Sequence, residues 1–277
     1  MKLANEISVV TGAGRGIGRE IARTHAREGA RVALLARSAS EIEAAAEEIN
    51  SSGGTARAYP VDVTDLDAVT ATFGAIEKDL GPITVLVNNA AVFGAIGPIW
   101  EVDPAVWWRD VEINVRGTFN CCRAALPGMI ARKRGRIVNL TGGGTATSFP
   151  HGSGYATSKA GILRFTESVG DTLADTGVLM FGMDPGLVRT GMTRYQLESE
   201  AGQKYLPNIE ALFEKGINVP PTRAAELSVE IARGRFDRMA GRMLMAARGD
   251  IGLSDAAVDE IVANDLRSLR VNGMPRE

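Results

Sequence analysis

Two rhythms of apolar and polar positions run along the chain. Short, nearly continuous apolar runs recur at ISVVT (7–11), RVALLA (31–36), ARAYPV (56–61), ITVLVNN (83–89), GRIVNLT (135–141), VLMFGM (178–183) and RMLMAA (242–247). Runs this short and this rich in β-branched and aliphatic residues predict strands buried on both faces. Longer stretches with helical spacing lie between them: 16–29, 38–54, 64–81, 104–133, 155–177 and 223–234. Ser38 and Glu41 have the spacing of a capping box, and Thr64 is the expected N-cap of the third helix. Strict alternation of strand and helix predicts a parallel sheet covered on both faces, with right-handed crossovers. The expected fold is therefore a single doubly wound α/β domain of Rossmann type, whose ligands sit outside the carboxyl ends of the strands.

Composition narrows the function. The 277 residues are 45% hydrophobic and carry a net charge of −2, which excludes the basic footprint of a nucleic-acid binder. Two adjacent cysteines, Cys121 and Cys122, cannot build a disulfide framework, so a reducing, cytoplasmic setting is expected. The only histidines, His25 and His151, lack a ligand cluster, so no metal is expected. No apolar run is long enough for a membrane span, and MKLANEISVV leads straight into a strand with no leader pattern.

TGAGRGIG (11–18) joins the first strand to the first helix. Gly12, Gly16 and Gly18 allow the sharp turn and the close approach of a pyrophosphate. The helix that opens at Gly16 and Ile17 offers free N–H groups to the anion. A dinucleotide is the expected ligand. An NAD site usually ends its second strand on an acid; here Ala36 stands there, followed by Arg37 and Ser38. With no carboxylate at that position, and with Arg15 in the glycine loop, Arg37 and Arg15 fit a 2′-phosphate, so NADP is expected over NAD.

The chain resembles the short-chain dehydrogenase/reductase family in its single-domain branch. The resemblance rests on TGAGRGIG, on Asp62-Val63, on NNAA (88–91), on Asn114 in INVRG, on YATSK (155–159) and on DPGLVRT (184–190). It spans Lys2 to about Ala247. It implies that Asp62 and Val63 lie beside the adenine, and that Asn89 and Ala90 lie near the adenosine ribose. Pro185, Gly186, Val188 and Thr190 would hold the nicotinamide. Ala91 stands where the family usually has Gly.

The implied activity is hydride transfer between NADP(H) and a carbonyl or secondary alcohol. Tyr155 supplies the proton. A free tyrosine titrates near about 10, so Lys159, one turn on, is expected to favour the phenolate. Lys159 is also implied to hold the nicotinamide ribose, and Asn114 to anchor a water in a proton relay. The family places a Ser thirteen residues before the Tyr; position 142 is Gly. Losing one donor to an oxyanion costs about 10²–10³ in rate. Three replacements are open: Thr141 turned inward, Thr145 or Ser153 folded over the site, or backbone N–H groups of Gly142–Gly144. Thr141 is the favoured one.

Residues 191–219 resemble the family's substrate lid, with Phe149 and His151 at the pocket and Arg189, Arg194 and Lys204 as candidate contacts for an acidic substrate. The dinucleotide-binding domain is expected over 1–249, with a helical extension at 250–277 that begins near Ser254 and packs through Ile261, Leu266 and Leu269. The helices from Pro104 and Tyr155 resemble those that pair in homodimers and homotetramers of the family. Two other readings compete: a catalytically impaired NADP-binding sensor or scaffold, and a redox-neutral epimerase.

Overall fold

A computed structural model of the chain describes residues 1–270. The chain runs β1 (Ile7–Thr11), α1 (Gly16–Arg27), β2 (Arg31–Ala36), α2 (Ala39–Ser51), β3 (Thr55–Pro60), α3 (Leu66–Leu80), β4 (Val85–Asn88), α4 (Pro104–Val111), α5 (Gly117–Ala131), β5 (Gly135–Leu140), α6 (Ser153–Thr172), β6 (Val178–Asp184), α7 (Gly191–Glu198), α8 (Glu200–Tyr205), α9 (Asn208–Glu214), α10 (Pro221–Ala232), β7 (Met243–Met245) and α11 (Asp255–Ala263). All strand pairs are parallel, in the order β3-β2-β1-β4-β5-β6-β7. The order reverses between β1 and β4, so a crevice opens there at the carboxyl ends, as the alternation predicts.

The apolar runs are buried because helices cover both faces. Val10, Val32, Leu34, Val138 and Phe181 pack under α1 and α10; Val9, Leu35, Leu86, Ile137 and Met180 pack under α3 and α5. One polar network crosses the first core. Ser228 donates to the carbonyl of Ala225 at 2.8 Å, so its oxygen accepts from His25 Nε2–H, also at 2.8 Å. His25 Nδ1 then accepts from the Ser8 hydroxyl at 2.8 Å. Burial pushes the imidazole down to about 3, so it is neutral. This histidine joins β1, α1 and α10; among the described residues no group of three or more His, Cys, Asp or Glu side chains could hold a metal ion.

Several local expectations change. The long helix from Pro104 breaks at a π-helical turn, Glu112–Arg116, which carries Asn114. Helix α3 is capped by Asp65, which accepts from Ala68 N at 3.0 Å, because Thr64 instead donates its N–H and hydroxyl to Asp62. Ser38 occupies the N-cap of α2 but makes no side-chain cap bond, so the capping box does not form. In the tail, Ser254 caps α11 and Ile261 is buried, whereas Leu266 is exposed. Past α11 the chain covers the open edge of β7: Met243 N–H donates to Arg267 O at 2.9 Å. Residues 271–277 of the expected extension lie outside the described residues. No described helix is long and apolar enough to cross a membrane.

Candidate active site

A cleft of about 820 Å³ lies along the carboxyl ends of β1, β2, β4, β5 and β6. Its wall brings together Gly12, Arg15, Gly16, Ile17, Arg37, Asp62, Val63, Asn89, Ala90, Thr141, Tyr155, Lys159, Pro185 and Thr190, which lie far apart in sequence. Gly18, Asn114, Gly186 and Val188 do not line the cleft. The glycine loop shows why side chains are excluded. Gly12 has φ +63°, and a Cβ on it would lie 2.9 Å from Ala90 Cα; one on Gly18 would lie 2.4 Å from the Gly12 carbonyl oxygen. Helix α1 has Arg15 as its N-cap, with no side chain accepting from its first N–H groups. Those donors face an open cleft, which suits a pyrophosphate. The loop, its depth and its open helix end fit a dinucleotide.

At the adenosine end, Asp62 Oδ1 accepts from Thr64 N–H at 2.9 Å and from its hydroxyl at 2.8 Å. Partial burial of Asp62 opposes ionisation. The bonds from Thr64 outweigh it, helped by Arg37 and Arg109 at 4.0 and 3.7 Å, and hold the carboxyl below its usual value. Arg109, on α4, and Glu41, on α2, are neighbours of this end that the sequence reading did not place there. Glu41 lines the cleft and lies 3.7 Å from Arg15. Position 36 carries no carboxylate, but the packing of α2 brings Glu41 to the same end of the cleft.

At the inner end, helix α6 places Tyr155 and Lys159 on one face, the ammonium 5.5 Å from the phenol ring centre. Lys159 Nζ donates to the carbonyl of Leu140 at 2.8 Å, which fixes it against the end of β5. Burial lowers its pKa to about 8, and the charge of Asp184 works against that shift. Tyr155 is pushed up, first by burial and then by the carboxylates of Asp184 and Asp110. The phenolate that Lys159 was expected to favour is thus not the resting form: burial and the two carboxylates keep the phenol protonated, as a proton donor must be. Asp110 is a buried carboxylate that the sequence did not flag. It accepts from Gly94 N–H at 2.8 Å and Ala95 N–H at 3.0 Å, and so fixes the loop after β4. That loop delivers Phe93, whose ring stacks on Tyr155 at 4.7 Å and 18°.

Asn114 is fully buried. Its Oδ1 accepts from Val92 N–H at 2.8 Å; its amide donates to Val92 O at 3.0 Å and to Ser158 Oγ at 2.9 Å. It clamps the loop after β4 to α6.

The missing hydroxyl has a structural counterpart. A Cβ on Gly142 would lie 2.8 Å from Tyr155 Oη, so the phenol occupies the space a side chain would need. Thr141 does not make the expected inward turn. Its N–H continues the ladder to Met183 O at 2.9 Å, and its hydroxyl contacts Met243 Sδ at 3.3 Å. The ladder fixes which face its side chain takes. Thr145 donates to Gly142 O at 2.6 Å and accepts from Gly142 N–H at 3.1 Å, while Ser153 accepts from Trp107 Nε1 at 3.0 Å. All three side chains are thus engaged elsewhere. The N–H groups of Gly143 and Gly144 have no partner among the described residues.

Helices α7, α8 and α9 lie within the segment 191–219. Leu206, Ile209 and Phe213 pack with Phe93 and Ile96, against Phe149 and Tyr155. His151 is exposed and stacks on Tyr205 at 5.0 Å. Of the cations proposed for an acidic substrate, Arg189 lies over the Phe213 ring at 4.2 Å and Lys204 lies 3.9 Å from Glu101. Cys121 and Cys122 are buried with their thiols pushed up by burial, which leaves them unreactive packing residues.

The sequence profile of a family described as short chain dehydrogenase matches residues 6–201. A short chain dehydrogenase of Pseudocercospora fijiensis is 36% identical over 191 residues, 68% of this chain; the match spans 62% of that relative's length. The 2-(S)-hydroxypropyl-CoM dehydrogenase 3 of Xanthobacter autotrophicus is 35% identical over 211 residues, 76% of this chain and 81% of the relative. Among solved structures, a single-substitution variant of the actinorhodin polyketide ketoreductase with NADPH superposes with a TM-score of 0.80 at 30% identity, covering 91% of this chain and 99% of that one.

Proposed function

The chain belongs to the short-chain dehydrogenase family and is a hydride-transferring oxidoreductase; on that premise we propose that it is an NADP(H)-dependent carbonyl reductase or alcohol dehydrogenase whose oxyanion contact is made by backbone. The observation that carries this reading is Tyr155 at the inner wall of the cleft, its hydroxyl against Gly142 and Lys159 one turn away. A bound nicotinamide supplies the hydride that adds to the carbonyl carbon. Tyr155 gives its proton to the carbonyl oxygen, so one hydride and one proton make the alcohol. The Lys159 ammonium stabilises the phenolate left behind. The unpartnered N–H groups of Gly143 and Gly144 are the donors we assign to the developing oxyanion, in place of a side-chain hydroxyl. Asn114 acts by fixing the loop after β4 against α6 at the position implied for the relay.

The name of the Xanthobacter relative, a dehydrogenase of a secondary alcohol, and the NADPH in the ketoreductase structure support the substrate class and the cofactor. Arg15 and Arg37 at the adenosine end support NADP over NAD. Exposed Phe119 and Ile130 on α5 support a homodimer or homotetramer, and the unpaired cysteines support a cytoplasmic location.

The test is NADPH consumption against a panel of ketones, aldehydes and sugar lactones. Turnover of at least one class is expected. Silence across the panel with tight NADPH binding would overturn the reading in favour of the sensor, which Gly142 alone supports.

A further inference from the structure

The structure assigns to Glu41 the control of how strongly the cleft favours a 2′-phosphorylated cofactor. This inference rests on the proposed NADP site and deepens it.

Glu41 is a first-turn residue of α2 that does not close the cap. Its side chain instead lies over the glycine loop. A Cβ built on Gly14 would be 2.7 Å from Glu41 Cβ and 3.1 Å from its Oε2, so glycine at 14 is what lets the carboxylate approach. From there it lies 3.7 Å from Arg15, and it lines the cleft beside Arg37 and Ser38.

Each arginine proposed for the 2′-phosphate thus faces a carboxylate, Arg15 facing Glu41 and Arg37 facing Asp62. The two carboxylates differ in freedom. Asp62 is held by two bonds from Thr64. Among the described residues the Glu41 carboxylate accepts no hydrogen bond, and Arg15 is its one ionic contact. A 2′-phosphate must draw Arg15 away from Glu41 and must also bear the repulsion of that carboxylate. A 2′-hydroxyl bears neither cost. Glu41 therefore acts against the phosphorylated cofactor and narrows the preference that the two arginines create.

The experiment measures binding of adenosine 2′,5′-bisphosphate and of 5′-AMP by calorimetry, on the full chain and at low salt. Glu41→Gln is expected to tighten the bisphosphate about fivefold, the reach of one exposed charge pair, and to leave 5′-AMP unchanged. In an Arg15→Gln background the gain is expected to shrink. Unchanged affinity in Glu41→Gln would overturn the inference. Weaker bisphosphate binding would do so too, by making Glu41 a support for Arg15. A full-sized gain without Arg15 would overturn the route through that residue. The NADP reading fails separately: wild-type protein that binds both probes equally would remove the preference for NADP, while the response of Glu41→Gln would still decide the role of Glu41.

Discussion

The two ends of the cleft work in different electrostatic regimes. At the inner end Lys159 is 2% exposed and Asn114 is fully buried. At the adenosine end the side chains of Arg15 and Arg37 are 74% and 60% exposed. Burial moves the Lys159 pKa to about 8 and pushes Tyr155 up, because water no longer stabilises their charged forms. The exposed pairs sit in water and salt, where each is worth ~1 kcal/mol or less. The inner end therefore governs whether the reaction occurs, with single atoms mattering. The outer end governs which cofactor is preferred, by the balance of several weak terms.

The contrast breaks first, if it breaks at all, at the phenol. Tyr155→Phe is expected to lower turnover by about 10²–10⁴ while fluorescence titration still shows NADPH binding. Retained turnover would mean that the proton comes from elsewhere. Gly142→Ser comes next. A simple restoration of a lost donor would raise the rate. The new Cβ, however, would fall 2.8 Å from Tyr155 Oη, and that phenol is stacked under Phe93. Displacing it should cost about 10² in turnover, and a faster Gly142→Ser enzyme would show that the site is deprived rather than rebuilt.

Titrations sharpen the same comparison. His25 is depressed from 6.5 to about 3, so between those values the unfolded chain binds the extra proton. Stability is kept above pH 6.5 and falls as the pH drops toward 3, by roughly 1.4 kcal/mol per unit. Denaturant melts of wild type and His25→Gln should show the slope flatten in the variant; equal slopes would remove His25 as the cause. For reduction, kcat/KM should decline as the pH rises through about 8, where Lys159 loses its proton and no longer stabilises the phenolate. A profile that stays flat well above that value would contradict the role. The smallest effect belongs to the exposed end. Arg37→Ala should reduce the NADPH-over-NADH ratio of kcat/KM about fivefold at low salt, and less at high salt. A salt-independent loss would place Arg37 in a drier setting than its exposure indicates.

Much of this was legible in the chain. Seven apolar runs became seven parallel strands, and the glycine loop lined the cleft, because period and turn chemistry are local properties. The spacing of Tyr155 and Lys159 needed only the helical pitch. Their environment did not follow from spacing: Phe93 reaches the site on the loop after β4, and Asp110 on α4 pins that loop, which no local pattern announces. Ser38 and Glu41 illustrate the opposite failure, a correct local motif overridden when α2 packed beside the glycine loop.

What the sequence by itself determined was the doubly wound sheet, the place of the phosphate cradle, the proton-transfer pair and the absence of a side chain at 142. Each depends on neighbours within a turn or a strand. Only the tertiary structure decided where the Thr141 hydroxyl faces, that Tyr155 fills the space at Gly142, and that Glu41 shares Arg15 with the cofactor site. Those outcomes depend on contacts across 102, 13 and 26 residues of chain. Sheet register and helix packing set such distances, and local propensity does not carry them.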